Sequence, residues 1–196
     1  LIKMGCLEDT QSGETKSFCH SCCTENNIED GKVKKKTSLS RARTNADDFD
    51  LENYKINMLR LHNDIRKKHS SHELKENEEL NDIATHYAES LVNKNVKTII
   101  NKYNDKIVGI NIIISESKKP EDILNQVLNE ENNYDYNENK FSKDKGHFTQ
   151  IIWKNTTDIG FGFWEDKDNQ KYYNVILYYP AGNILGEFKQ NVKEKK

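Results

Sequence analysis

Gly146-His147-Phe148-Thr149-Gln150-Ile151-Ile152-Trp153-Lys154-Asn155 stands where the chain changes character. Upstream runs a polar loop, Tyr134 to about Lys145, that carries Tyr134, Tyr136 and Phe141. Downstream come two alternating runs: Ile159, Phe161 and Phe163, then Tyr173, Val175, Leu177 and Tyr179. A period of two puts such residues on one face of a sheet. Asp166-Lys167-Asp168-Asn169 between the runs suits a hairpin turn.

Further upstream the period becomes helical. Leu51, Tyr54, Met58, Leu61 and Ile65 recur at three- and four-residue steps and predict one apolar stripe on a first helix. Asp47-Asp48 supplies acidic residues ahead of it. Leu80, Ile83, Ala84, Tyr87, Ala88, Leu91 and Val92 predict a second helix. Pro120, whose missing N–H costs nothing at a first helical position, opens a third with Ile123, Leu124, Val127 and Leu128 on its buried side. Ile107 to Ile114 is rich in β-branched residues and reads as a buried strand. Helices preceding a largely antiparallel sheet define an α+β class, and residues 49–196 suffice for one such domain.

Residues 1–48 read differently. Large apolar residues are few and no period is sustained, so this segment is expected to be an extension. It holds all four cysteines, Cys6, Cys19, Cys22 and Cys23, whose even count favours two disulfides in an oxidising compartment. Three pairings are open. The alternative is a metal knuckle using His20 beside Cys19 and Cys22, but no second spaced ligand pair follows. The basic run Lys32, Lys34, Lys35, Lys36, Arg41 and Arg43 has no interleaved aromatics and suits a solvated linker. The net charge is only −2, so no broad field favours nucleic acid. No stretch has the apolar length of a membrane span. The opening Leu1-Ile2-Lys3-Met4-Gly5 lacks an apolar leader core, so a signal peptide is expected to be either lacking or already removed.

Three segments together resemble the CAP superfamily of cysteine-rich secretory, venom-allergen and plant pathogenesis-related proteins. They are His62-Asn63-Asp64-Ile65-Arg66 with His69, Leu74 and the following helix, then Gly146 to Asn155, then Tyr178-Tyr179-Pro180-Ala181-Gly182-Asn183-Ile184. The likeness spans about Leu51 to Val192 and looks nearest to the venom-allergen-like proteins of parasitic worms. It implies a three-layer α–β–α sandwich around a central antiparallel sheet.

The resemblance also implies a cleft of two His and two Glu able to hold a divalent metal. His147 matches one His and Glu130 one Glu. The other Glu belongs to a Gly-Glu-Asn motif that here reads Gly109-Ile110-Asn111, and no His lies between His86 and His147. One imidazole and one carboxylate are too few for zinc, which takes three or four protein ligands. Glu130 and His147 are therefore expected to form a hydrogen-bonded pair without metal or other cofactor. Ser115, Ser117 and Thr149 show no nucleophile–base–orienter spacing, so an enzyme is not expected. His69 and His72 are expected to face solvent, and His62 to lie on the polar side of its helix, bracing the cleft.

Lipid binding needs no complete tetrad. The resemblance implies sterol contact at Tyr134, Tyr136 and Phe141, whose polar neighbours should leave the rings accessible. It also implies a fatty-acid channel where Met58 and Leu61 face Val127 and Leu128; the alternative is that these four simply pack the core. A secreted sterol- or fatty-acid-binding protein is the expectation. The alternatives are a host-facing protein ligand acting through its surface and a metal-dependent hydrolase. Asn155-Thr156-Thr157 is the chain's N-glycosylation sequon.

Overall fold

The computed structural model describes residues 49–95, 102–138 and 140–196. Cys6, Cys19, Cys22, Cys23, His20 and the lysine run lie outside them. Helix α1 spans Leu51–Lys68 and is capped by Asp50, whose carboxylate accepts the Asn53 N–H at 3.0 Å. Its buried face is Tyr54, Met58, His62 and Arg66, a strict four-residue row. The apolar stripe expected from Leu51, Leu61 and Ile65 is thus rotated: Leu51 is exposed, and Leu61 and Ile65 only flank the core. His62, expected on the polar side, is completely buried. Interior carbonyl and hydroxyl partners make that burial of polar groups tolerable.

Helix α2 (Glu78–Val92) buries Leu80, Asn81, Ala84 and Ala88 against the sheet. The strand beneath, β5 (Asp158–Asp166), offers Gly160 and Gly162 to it. A Cβ at Gly162 would overlap the backbone of Ala84, and one at Gly160 the backbone of Leu80. Bare backbone on one side and alanines on the other set the close approach. Asn81 fastens it: its Oδ1 accepts the Phe161 N–H at 2.7 Å and its Nδ2 donates to Glu76 at 2.7 Å.

The main sheet runs β1-β5-β6-β4, with β1 Lys75–Glu76, β6 Lys171–Tyr179 and β4 Gly109–Ser115. The β4–β6 and β5–β6 ladders are antiparallel; the two-residue β1 adds a parallel edge. A small hairpin, β2 (Lys102–Tyr103) and β3 (Lys106–Ile107), precedes β4. The expected turn closes the β5–β6 hairpin, where Asp166 accepts from the backbone and side chain of Asn169. β4 departs from the fully buried strand expected, because it lies at the sheet edge. Gly109, Asn111, Ile113 and Ser115 are buried, but Ile110 and Ile112 are half-buried and Ile114 is exposed.

Each face of the sheet has its own core. Ile176 and Tyr178 of β6 join Met58, Ile123, Leu124, Val127, Phe148 and Trp153, the side built from α1, α3 (Pro120–Leu128) and α4 (Gly146–Ile151). Val175 and Leu177 join Leu80, Ala84 and Ala88 of α2 on the other side. The result is the three-layer α–β–α arrangement, completed by α5 (Phe188–Asn191), whose Phe188 packs edge-on to Trp153.

Candidate functional site

Glu130 sits in the 3-10 turn Asn129–Asn133 that continues α3, and His147 is the second residue of α4. The structure brings them together. His147 Nδ1 donates to Glu130 Oε1 at 2.7 Å, and Glu130 Oε2 accepts the Phe148 N–H at 2.9 Å. A carboxylate accepts only, so the ring proton lies on Nδ1 and Nε2 is directed elsewhere. His147 is about one-third exposed, whereas the carboxylate behind it is largely covered.

A polar chain runs beneath this pair. Asn111 Nδ2 donates to the His147 carbonyl at 3.1 Å and to Tyr178 Oη at 3.3 Å. Tyr178 Oη lies 3.0 Å from His62 Nε2, and His62 Nδ1 lies 2.7 Å from the Met58 carbonyl. Because that carbonyl cannot donate, His62 carries its proton on Nδ1 and accepts the Tyr178 hydroxyl at Nε2. Burial holds the His62 pKa down at about 4, with the Arg66 charge adding to the effect against the Met58 bond. Burial likewise pushes the Tyr178 phenol up.

Arg66 is completely buried and pairs with no carboxylate among the described residues. Four carbonyls hold it instead. Nε donates to His72 at 2.7 Å, Nη1 to Ile151 and Trp153 at 2.8 Å each, and Nη2 to Thr156 at 2.9 Å. Burial lowers its pKa to about 10. One of those carbonyls, Ile151, ends α4 and two, Trp153 and Thr156, follow it, so one side chain of α1 fixes the end of the Gly146–Asn155 segment. That segment is also bonded to its downstream counterpart. Thr149 Oγ1 donates to Asn183 Oδ1 at 2.6 Å, Asn183 Nδ2 to the Gly146 carbonyl at 2.8 Å, and the Gly182 N–H to Gln150 Oε1 at 2.8 Å. Arg66, Asn111, Gln150 and Asn183 were not singled out for these roles from sequence, since their partners are remote backbone groups that leave no periodic signal.

Several expectations need correction. His69, expected in solvent, is fully buried: Nδ1 donates to the Lys193 carbonyl at 2.6 Å, and the ring lies edge-on to Phe148 at 5.4 Å. Packing of the C-terminal segment over the end of α1 encloses it. His72 is exposed. The loop rings expected to be accessible turn inward. Tyr134 is 8% exposed and meets Tyr136 edge-on at 4.9 Å, while Tyr136 and Phe141 are half-buried against the core. Their apolar faces find the core within reach despite polar neighbours. Met58 and Val127 are core residues, with Leu61 and Leu128 packed at its margin.

No group of three His, Cys, Asp or Glu close enough to hold a metal ion occurs among the described residues. Glu130 already uses both oxygens, and Ile110 belongs to the α2-side cluster. The residues present do not fit a divalent metal centre. Ser117 donates to Asp122 at 2.6 Å, Ser115 Oγ accepts the Ser117 N–H, and Thr149 serves Asn183, so these hydroxyls are engaged away from His147.

The opposite face of the sheet holds a groove of about 280 Å³ between α2 and strands β4 and β6. Ile83, Tyr87, Ile110 and Leu177 form its apolar lining; Asp82, His86 and Ser90 complete it.

The model of the CAP, or cysteine-rich secretory protein, family matches residues 59–179. This chain belongs to the CAP family. The human Golgi-associated plant pathogenesis-related protein 1 is 30% identical to this CAP protein over 142 residues, covering 71% of this chain and 92% of the human one. Venom allergen 5 of Microctonus hyperodae is 29% identical over 158 residues, covering 66% and 67% respectively. Among solved structures, Schistosoma mansoni venom allergen-like protein 4 superposes with a TM-score of 0.55 at 23% identity, covering 72% of this chain and 94% of its own. NaASP2, crystallised with Zn2+, gives 0.52 at 19%, covering 74% and 87%. These two establish the shared CAP fold. No helix of the described residues is long and apolar enough to cross a membrane.

Proposed function

We propose that this CAP protein is a secreted lipid-binding protein, a carrier or sequestering agent rather than an enzyme. The observation that carries the reading is the apolar groove between α2 and the sheet, a concave site lined by four apolar side chains. A second support is negative for chemistry: among the described residues, neither a nucleophile nor a third metal ligand stands beside the Glu130–His147 pair. Sterol is assigned to the edges of Tyr136 and Phe141, the half-exposed rings of the aromatic loop, with Tyr134 as their buried anchor. Secretion accords with kinship to venom allergens and with the exposed Asn155 of the sequon.

The test is organic extraction of the purified full chain, followed by mass spectrometry of the extract. Lipid at near one equivalent supports the reading. Protein that carries no lipid and retains neither labelled cholesterol nor any single-chain lipid would overturn it, in favour of action through surface contacts with another protein.

A further inference from the structure

The groove between α2 and the sheet has a charge character that selects a head group. Resting on the lipid-binding reading above, we propose that it takes the alkyl chain of a single-chain cationic amphiphile, a long-chain primary amine of the sphingoid-base type. Three observations converge. Drug-sized ligands occupy pockets of about 300–1,000 Å³; at about 280 Å³ this groove suits one chain rather than a fused-ring body. Its lining combines Ile83 and Tyr87 of the helix with Ile110 and Leu177 of the sheet. The aliphatic side chain of Ile110 extends the apolar wall along the β4 edge, where α2 does not reach over the strand.

The third observation is charge. Asp82, His86 and Ser90 line the groove at four-residue steps on α2. The Ser90 hydroxyl already donates to the His86 carbonyl at 2.8 Å. Asp82 is exposed, carries the only carboxylate in the lining, and has no ion pair among the described residues. Helix α2 also bears Glu78, Glu79 and Glu89 and contains neither Lys nor Arg. A chain seated in the groove therefore lies beside the Asp82 carboxylate, which is unpaired among the described residues. An ammonium head gains an ion pair with Asp82; a carboxylate head meets repulsion; a hydroxyl head is indifferent. An exposed pair is worth about threefold in affinity, so the cation should exceed the anion by about tenfold when attraction and repulsion are combined.

The experiment is calorimetric titration of the full chain with dodecylammonium, dodecanol and dodecanoate, each below its aggregation concentration, at low and at 0.5 M salt. The expected order is dodecylammonium, then dodecanol, then dodecanoate, with the spread narrowing in salt. Asp82→Asn, on an exposed helical position, should weaken dodecylammonium about threefold and leave dodecanol unchanged. Ile83→Asp should weaken all three, with circular dichroism verifying the fold. Dodecanoate binding as tightly as dodecylammonium, or Asp82→Asn leaving the order intact, overturns the head-group assignment. Ile83→Asp without effect in a folded protein overturns the site while the lipid-binding reading stands. Failure of all three probes overturns the groove, and only failure of the extraction test as well removes the wider reading.

Discussion

Acid should destabilise this fold, and buried His62 carries a separable part of the effect. His62 lies in the core between the Met58 carbonyl and the Tyr178 hydroxyl, with its pKa lowered from 6.5 to about 4 by burial. Above pH 6.5 neither the folded nor the unfolded chain protonates it. Between pH 6.5 and 4 the unfolded chain takes up a proton that the folded chain refuses. The unfolded state then binds more protons, and stability falls with pH. The shift amounts to a loss of about 2 kcal/mol at pH 5 and about 3 kcal/mol at pH 4. Against a typical total of about 5–15 kcal/mol this is a large fraction. Urea denaturation at pH 7.5, 6 and 5 measures it, with His62→Gln as the reference. His69, also lowered by burial, remains in both proteins, so the difference isolates His62. Asp135, Asp144 and Asp166 are lowered from 3.8 and act mainly below the window. The variant should start less stable at pH 7.5 and lose less on acidification. Identical pH slopes in the two proteins would refute the reasoning.

Other outcomes follow from the same structure. Arg66→Met strands four buried carbonyls and should cost about 3–5 kcal/mol in urea unfolding; a cost under about 1 kcal/mol would show that the guanidinium is dispensable. Gly162→Ala forces α2 off β5 and should cost about 1–3 kcal/mol, so an unchanged thermal midpoint would contradict the close packing. Replacing Tyr136 and Phe141 together with Ala should weaken cholesterol binding about tenfold, measured with labelled sterol on a folded variant; an unaltered isotherm removes the loop from sterol contact. If the chain is exported by a eukaryotic cell, glycosidase treatment should lower its mass through Asn155, and Asn155→Gln should abolish that change.

The parts legible in the sequence were those that periodicity reports. Alternation in Ile159 to Phe163 and Tyr173 to Tyr179 became the β5–β6 hairpin, and the apolar rows of α2 and α3 became their buried faces. The signature segments were legible as a pair, and their physical reason appears only in three dimensions, where Thr149, Gln150, Gly182 and Asn183 bond one to the other. Periodicity misread α1 because it counts apolar residues, whereas the deepest positions include His62 and Arg66, made acceptable by carbonyls far away in sequence. His69 was misread for the same reason, its partner being Lys193. The Glu130–His147 contact was legible from motif position. The groove was not, since Ile83, Tyr87, Ile110 and Leu177 look in sequence like ordinary core residues, and only the offset of α2 from β4 leaves them a shared hollow.

The carboxylate of Glu130 grips both the ring of His147 and the N–H of Phe148. Seen from the loop between them, this grip is a clasp. It joins positions seventeen residues apart and closes the intervening chain into a ring whose two ends cannot drift. Closing such a ring costs about 2–3 kcal/mol in chain entropy, and the clasp meets that cost permanently. Tyr134 and Tyr136, which meet edge-on inside it, are thereby carried on a segment whose two ends are fixed to one another. The pair then acts mechanically, as the pin of the loop it fastens.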